Sequence, residues 1–320
     1  MTDLLVPAAP DSDASASGAT NPTGPRVIPG ELVQELRYLE IYTRRKITSR
    51  LIGSYTSPFK GVGFDFWEHR RYEPGEDVRR IDWNATARLG QIQVKLCHAE
   101  RELNAMLVMD LSRSMEFTSR RLTKRELALR VAGCLAFSAV ADQMHLGMLA
   151  FTDRVEAYFP PRQGRRQAWR ILQYLWEARP RSGGTELSAP LEFLAQRLRK
   201  TTLLFLVSDF LQSDIVGLAD VQVLAHRHDL VPIIVEDPLE EALWKARGHV
   251  RLRDLESGEE RVISLSARNR RTYAEEVTRR RGELIRHFYS LGLDHVHLRV
   301  GDPFVDPLIR VFSSRKRQQR

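Results

Sequence analysis

The stretch AMLVMDLSRSMEF, residues 105–117, begins as a buried β-strand and ends in a run of polar side chains. Residues 105–109 are all apolar, as expected for a strand that is covered on both faces of a parallel sheet. Asp110, Ser112 and Ser114 then follow at every second position. One acid and two hydroxyls directly after a core strand indicate oxygen ligands gathered at the carboxyl end of that strand.

The residues on either side repeat the alternation of buried strands and helices. Further strands are predicted in HLGMLAFTD (145–153), RVEAYFPP (154–161), TTLLFLVSDF (201–210), LVPIIVED (230–237) and HVHLRV (295–300). Helices are predicted between them, at about 123–142, 167–177, 187–199 and 267–291. Because short apolar strands that alternate with helices build a sheet covered on both faces, the predicted fold class is α/β, with a doubly wound and mostly parallel sheet.

Changes in composition divide the chain into four parts. Residues 1–28 are rich in Ala, Ser, Pro and Gly and are predicted to be disordered. Residues 29–104 are predicted to form an amphipathic helix and a small β-containing extension, and residues 105–312 the α/β domain. Within that domain, the segment 249–265 alternates around a Ser-Gly turn and predicts a β-hairpin. Residues 313–320 form a basic tail.

Composition and charge narrow the classes of function. Of the 320 residues, 42% are hydrophobic and 28% are charged, which is typical of a globular protein. The net charge of +8 makes an anionic partner worth considering, but the arginines are interleaved with acids. Neither a recognition-helix motif nor a set of aromatic stacking platforms is evident. Nucleic acid is therefore not a favoured partner.

Cysteine content and hydropathy indicate the compartment. Cys97 and Cys134 are far apart and lack zinc-binding spacing, so neither a disulfide framework nor a zinc site is predicted. No apolar window has the length needed to span a bilayer. The N-terminal residues lack the basic and hydrophobic regions of a secretory signal. We therefore expect no membrane span and a cytoplasmic protein.

Two later positions fall at the same edge of the predicted sheet as the opening stretch. Thr185, in RSGGTEL, stands at a helix start, and Asp209, in LFLVSDF, follows a buried strand. Ligands of such sheets bind at the carboxyl ends of the strands, and an oxygen-only set suits Mg²⁺ or Mn²⁺. Ser112 and Ser114 are the expected direct ligands. Asp110 and Asp209 would neutralise the ion through water or hydroxyl hydrogen bonds, and Thr185 would complete the ring.

Helix capping is the alternative explanation for these five residues. Ser and Asp at strand-to-helix junctions often only cap the helix that follows. Thr185 would then be an N-cap, and Asp209 a cap after its strand. The joint placement of all five residues at three strand-to-helix turns of one sheet leaves both interpretations open.

Two groups of motifs resemble known families. DLSRS, GGT and SDF, in this order, resemble the metal-ion-dependent adhesion site of von Willebrand factor A domains. The segment KGVGFDFWEHRRYEPGEDVRRIDWNATARLGQIQVK, residues 60–95, resembles the signature of domain-of-unknown-function family 58 and is far more specific. The resemblance covers roughly residues 45–311. It implies a von Willebrand A fold with an N-terminal extension, a match at all five metal-site positions, and a MoxR-type AAA+ ATPase as partner.

The signature segment also contains candidate docking residues. Arg79, Arg80, Trp83 and Arg88 are of the types that anchor protein interfaces. The alternative is a network of ion pairs and aromatic contacts that fastens the small β element to the main sheet. For Asp82 and Trp83 the network is the favoured interpretation, whereas for Arg79 and Arg80 both interpretations stay open.

Together these features predict a non-enzymatic adaptor that binds Mg²⁺ and takes a carboxylate from a client protein. The alternative is a Mg²⁺-dependent phosphoryl-transfer or hydrolytic enzyme, since an aspartate after a buried strand resembles a phosphatase nucleophile. That chemistry requires a second Asp two positions further on, where Ser112 stands. The sequence contains neither a P-loop nor a G-x-S-x-G elbow. A basic nucleic-acid binder is the third hypothesis.

Overall fold

The computed structural model describes residues 28–46, 60–61, 65–74, 77–98, 103–180, 184–211, 219–241, 243, 248–253 and 260–318. The predicted disordered segment is residues 1–28, and residues 1–27 lie outside these ranges. The chain divides into two compact units. Ile52–Glu102 form the smaller unit, and Met1–Leu51 with Leu103–Arg320 form the larger one.

The helices and strands are numbered in chain order. They are α1 (Gly30–Lys46), β1 (Lys60–Gly61), β2 (Asp65–Arg71), α2 (Trp83–Leu89), β3 (Gln93–His98), β4 (Asn104–Asp110), α3 (Lys124–Ala141), β5 (His145–Phe151), β6 (Val155–Arg162), α4 (Arg165–Glu177), α5 (Ser188–Arg197), β7 (Thr202–Ser208), α6 (Ala219–Arg227), β8 (Asp229–Glu236), α7 (Pro238–Glu241), β9 (His249–Arg253), β10 (Glu260–Ser264), α8 (Ala267–Ser290), β11 (Val296–Arg299) and α9 (Val305–Gln318). Short 3₁₀ turns at Val78–Arg80 and Arg113–Glu116 complete the described elements.

Six strands of the larger unit form one sheet, in the order β11-β8-β7-β4-β5-β6. Neighbouring strands are parallel except β5 and β6, which pair antiparallel. If these six strands are renumbered 1 to 6 in chain order, their order across the sheet, read from β6, is 3-2-1-4-5-6. In a sheet of this order, ligands bind where the strand order reverses. That point lies between β4 and β7. The predicted fold class, a doubly wound, mostly parallel α/β sheet with a small β-containing extension, is confirmed.

Helices cover both faces of this sheet. Met106 and Val108 of β4 are buried in a core that they form with α5, α6 and α8. Because successive side chains on a strand point to opposite faces, Leu107 and Met109 lie on the other face, where α3 and α4 contact the sheet. Burial on both faces explains why β4 is an uninterrupted apolar run.

Helix α1 packs against α3 in the larger unit. Leu32, Leu36 and Leu39 are buried at helical spacing. Gly133 of α3 allows a close approach of the two helices, since a Cβ atom at this position would lie 2.6 Å from Leu36 Cδ2. The predicted amphipathic helix is confirmed. The helix belongs to the larger unit. The sequence analysis instead groups it with the β-containing extension in residues 29–104.

In the smaller unit, β1, β3 and β2 form a three-stranded antiparallel sheet in that order. The sequence predicts only short strands and turns here, and this is wrong for residues 83–89, which form α2. Asp82 caps this helix by accepting hydrogen bonds from the Asn84 and Ala85 backbone N–H groups, at 3.0 Å each. Gly90 ends it in the left-handed conformation, with a φ of 67°.

The other predicted elements of the larger unit are present. β9 and β10 pair antiparallel, as the predicted hairpin requires. The arginine clusters of α8 form ion pairs along the helix, such as those of Arg279 with Glu276 and Glu283. α9 continues to Gln318 and so extends into the predicted basic tail. Within the described part of the chain, no helix is long and apolar enough to cross a membrane.

Candidate metal centre

Asp110 ends β4 at the point where the strand order of the sheet reverses. The residue is only 1% exposed. Both side-chain oxygens accept hydrogen bonds. The backbone N–H of Ser112 donates to Oδ1 at 2.8 Å, and the Ser208 hydroxyl donates to Oδ2 at 2.6 Å. Asp110 is therefore fixed between the ends of β4 and β7.

The two predicted serine ligands lie together directly after this aspartate. Ser112 precedes the 3₁₀ turn and Ser114 lies within it, so that their hydroxyl oxygens are 3.0 Å apart. Both serines are buried. Ser112 occupies the N-cap position, but its side chain makes no capping hydrogen bond. The capping interpretation therefore does not explain its hydroxyl group.

Asp209 follows β7 and contacts a buried lysine that is not predicted from the sequence. The ammonium of Lys124 donates to Asp209 Oδ2 at 2.6 Å and also to Glu240 Oε1. Asp209 Oδ1 accepts a hydrogen bond from the Leu211 N–H at 3.2 Å, as the capping interpretation expects. Lys124 is fully buried and Asp209 is nearly so. The aspartate is thus both a local cap and the acceptor of an internal cation.

The start of α3 places Lys124 at this edge of the sheet. Thr123 and Glu126 form a capping box, in which each side chain accepts the backbone N–H of the other residue at 3.0 Å. Burial alone lowers the pKa of a lysine, but the carboxylates of Asp209 and Glu240 raise the pKa of Lys124 above its ordinary value. The lysine therefore carries its charge inside the protein.

Glu240 and Asp237 extend the polar cluster to the carboxyl end of β8. Glu240, on α7, accepts the backbone N–H of Asp237 through Oε2 at 3.0 Å. Asp237 Oδ2 in turn accepts the backbone N–H of Ser119 at 2.8 Å. Both acids are buried. These bonds attach the loop between the 3₁₀ turn and α3 to the end of β8.

Thr185 lies at the neighbouring strand end, half-buried before α5. The N-cap of α5 is Leu187, so the interpretation of Thr185 as an N-cap is wrong. The next residue, Glu186, donates its N–H to the Thr152 carbonyl oxygen at 3.1 Å, which attaches this segment to the turn after β5. Because β5 pairs with β4, this bond attaches the segment of Thr185 to the strand next to the one that ends in Asp110.

The charges of the cluster favour an added cation. The ammonium of Lys124 contacts two of the buried carboxylates of the cluster, which are those of Asp110, Asp209, Asp237 and Glu240. Burial, followed by the charge of Asp209, raises the pKa of Asp110 to about 6. Burial also raises the pKa of Glu240 to about 7, although Lys124 acts in the opposite direction. A divalent ion would neutralise the charge that Lys124 leaves uncompensated.

The chemistry of the donors fits a hard cation. Hydroxyl and carboxylate oxygens are the ligands that Mg²⁺ and Mn²⁺ prefer. Among the described residues, no group of three His, Cys, Asp or Glu side chains surrounds a common metal position. A metal ion at this site would therefore depend on the hydroxyls of Ser112 and Ser114.

The candidate docking residues of the smaller unit differ in exposure. Arg79 and Arg88 are exposed, and Trp83 is 67% exposed. The side chain of Arg80 lies outside the described residues. Asp82 lies 2.9 Å from the Nε2 atom of a histidine on β2, in addition to capping α2. Asp82 therefore stabilises the smaller unit internally, while the Trp83 ring is exposed.

The fold and this cluster define an α/β protein with a polar site at the switch point of a doubly wound sheet. The chain belongs to the family described as Protein of unknown function DUF58, whose family model matches residues 68–283. The resemblance to this family is thereby confirmed. The uncharacterized proteins Rv1480 of Mycobacterium tuberculosis and Mb1516 of Mycobacterium bovis are each 30% identical to this chain over 289 residues, 90% of this chain and 90% of each relative.

Solved structures with similarity to the chain include bacterial proteins of low sequence identity. An aerotolerance-related membrane protein from Bacteroides fragilis has a TM-score of 0.44 at 14% identity and covers 68% of this chain and 99% of its own. BatB from Bacteroides thetaiotaomicron has a TM-score of 0.42 at 13% identity, with coverages of 67% and 99%. A von Willebrand factor type A protein from Catenulispora acidiphila has a TM-score of 0.36 at 11% identity, with coverages of 71% and 43%.

Proposed function

We propose that the protein is a non-enzymatic, metal-dependent protein-interaction module. The observation that carries the proposal is the pair of hydroxyls of Ser112 and Ser114, 3.0 Å apart beside the buried Asp110. The two hydroxyls would hold Mg²⁺ or Mn²⁺, and Asp110 and Asp209 would supply the compensating charge. A hard cation with few anionic ligands remains able to bind a further carboxylate, which a client protein would supply.

The surroundings of Asp110 support binding rather than hydrolysis. In a phosphatase of the kind considered above, the aspartate after the strand is the nucleophile and needs an oxygen that can attack the substrate. Asp110 accepts hydrogen bonds from the Ser112 N–H and the Ser208 hydroxyl, and Ser112 stands where that scheme requires a second aspartate. This arrangement suits a carboxylate that acts as a fixed charge.

The proposed partner is a MoxR-type AAA+ ATPase in the cytoplasm, and the proposed process is the assembly or maturation of client protein complexes. Support comes from the resemblance of residues 60–95 to the family 58 signature, which implies such an ATPase as partner. Arg79, Trp83 and Arg88 of the smaller unit are exposed residues of types that anchor interfaces. They would contact the ATPase, and the metal centre of the larger unit would bind the client.

A pull-down from native lysate tests this function, with wild type and Asp110→Asn, in Mg²⁺ and in chelator. Asparagine retains the size of the side chain and an acceptor for the Ser112 N–H but removes the charge. Ser138→Ala is the control for the loss of a buried polar group away from the site. Ser138 is fully buried on α3, and its hydroxyl donates to the Cys134 carbonyl oxygen at 2.8 Å. We expect the client only with Mg²⁺, and only with wild type and the control. Equal capture of the client by Asp110→Asn in chelator would refute metal dependence.

A further inference from the structure

Three exposed arginines lie next to the candidate metal centre, and none has an ion-pair partner among the described residues. They are Arg113, Arg120 and Arg121. Many other arginines of the larger unit are held by acids, as Arg130 is by Glu35 at 2.8 Å. Three exposed guanidinium groups without an ion-pair partner among the described residues therefore lie within nine positions of the chain at this edge of the sheet.

The backbone determines where these arginines lie. Arg113 stands between the two serines whose hydroxyls are 3.0 Å apart. Arg120 and Arg121 directly follow Ser119, whose N–H is bound by Asp237 at the end of β8. Within the same loop, the Thr118 hydroxyl donates to the Leu122 carbonyl oxygen at 2.6 Å. One hydrogen bond therefore attaches this loop to the end of β8, and another closes the loop on itself. Arg120 and Arg121 lie beside the cluster as a result.

Two acids at this edge pair with arginines, and a third, Glu186, is exposed without an ion pair among the described residues. Glu116, at the end of the 3₁₀ turn, pairs with Arg125 at 2.5 Å. Asp153, in the turn after β5, pairs with Arg154 at 3.0 Å. The exposed side chains around the cluster therefore include more arginines than acids, while the carboxylates of the cluster itself are buried.

We propose that Arg113, Arg120 and Arg121 form a basic rim that binds an acidic segment of the client. The inference rests on the proposed function and specifies its partner: a stretch with several Asp or Glu residues, one of which supplies its carboxylate to the metal ion. Guanidinium groups bind carboxylates through two parallel hydrogen bonds, so the rim would select neighbouring acids of the same segment.

An acidic peptide fits this rim better than a nucleic acid does. Glu116, Asp153 and Glu186 interrupt the arginines, so the rim does not form the continuous basic groove that follows a phosphate backbone. Single carboxylates on flexible side chains can reach individual arginines and avoid the flanking acids. Phe117, the aromatic residue between Arg113 and Arg120, is buried, whereas single-stranded nucleic acids are bound by stacking on exposed rings.

Fluorescence anisotropy with a fluorescein-labelled hexaglutamate peptide tests the rim in the full-length protein. The variants are Arg113→Gln, Arg120→Gln and Arg121→Gln, singly and combined, with Arg271→Gln as the control because Arg271 is an exposed arginine of α8 that pairs with Glu275. We expect the triple variant to bind about tenfold more weakly, since three exposed charge pairs contribute modestly. The control should bind as wild type does.

The outcomes separate the rim from the metal centre. Unchanged binding by the triple variant, with binding still lost in chelator, would overturn the rim and leave the proposed function in place. Binding that requires the arginines but persists in chelator and in Asp110→Asn would support the rim and overturn metal dependence. No binding of hexaglutamate by wild type, or tighter binding of a labelled single-stranded oligonucleotide of equal charge, would overturn the inference.

Discussion

Replacement of Lys124 by methionine tests the internal cation of the cluster. Methionine has a similar length and retains the apolar part of the side chain, but it removes the ammonium that contacts Asp209 and Glu240. Because Lys124 is fully buried, solvent cannot replace it. Removal of one partner from a buried ion pair costs about 3–5 kcal/mol, since the remaining charges stay buried and uncompensated.

For a domain of this size, each kcal/mol shifts the melting temperature by about 2–4 °C, so Lys124→Met should melt about 6–20 °C below wild type. Thermal unfolding followed by circular dichroism measures this shift. The double variant Lys124→Met/Glu240→Gln should recover part of it, because a neutral amide needs no compensating charge. Arg271→Met, which removes an exposed ion pair, serves as the control and should melt as wild type does. A melting temperature of Lys124→Met equal to that of wild type would refute the bridging role.

Three further predictions concern single residues. Ser114→Ala should weaken Mg²⁺ binding in calorimetry by about 10–100-fold, whereas Ser138→Ala should leave it unchanged. Gly133→Ala should destabilise the protein by about 1–3 kcal/mol in urea unfolding, because the new methyl group would lie 2.6 Å from Leu36 Cδ2; an unchanged midpoint would contradict this close approach. Burial lowers the pKa of His228, and neither of its ring nitrogens has a partner among the described residues. The folded state resists protonation of this ring, so stability is retained above the ordinary histidine pKa of 6.5 and falls as the pH drops below it. In urea titrations at successive pH values, His228→Leu should reduce the slope of the free energy of unfolding against pH by an amount that corresponds to at most one proton. An identical slope in wild type and variant would exclude His228 as the source of the decline.

The strands and the first part of the site could be predicted because their signals are local. The apolar run of β4 reflects burial on both faces, and the residues that follow such a run must lie at the carboxyl edge of a parallel sheet. This reasoning predicts the positions of Asp110, Ser112 and Ser114, and the structure brings the three residues together. Asp209 was placed in the same way after β7.

The internal cation could not be predicted because its burial depends on distant residues. Lys124 contacts Asp209 and Glu240, which are 85 and 116 positions further along the chain. In the sequence, a lysine at a helix start is indistinguishable from one that points to solvent. The capping box formed by Thr123 and Glu126 locates the first turn of α3 but does not indicate which way that turn faces.

Helix α2 illustrates a different limit. Its capping residues, Asp82 and Gly90, are present in the sequence and in the correct positions. The surrounding Gly- and aromatic-rich segment favours strands and turns, and this regional composition outweighed two local signals. Capping residues on both sides of a short segment are therefore evidence for a helix even when the neighbouring residues form strands.

Binding of Mn²⁺ to the metal-free protein tests the central claim most directly. Electron paramagnetic resonance of the free ion gives the stoichiometry and affinity for wild type and for Asp110→Asn, and Mg²⁺ serves as the competitor. We expect one saturable site in wild type, displacement of Mn²⁺ by Mg²⁺, and an affinity that is about 10–100-fold weaker in Asp110→Asn. No saturable binding by wild type, or equal affinity in the two proteins, would contradict a metal centre at the end of β4.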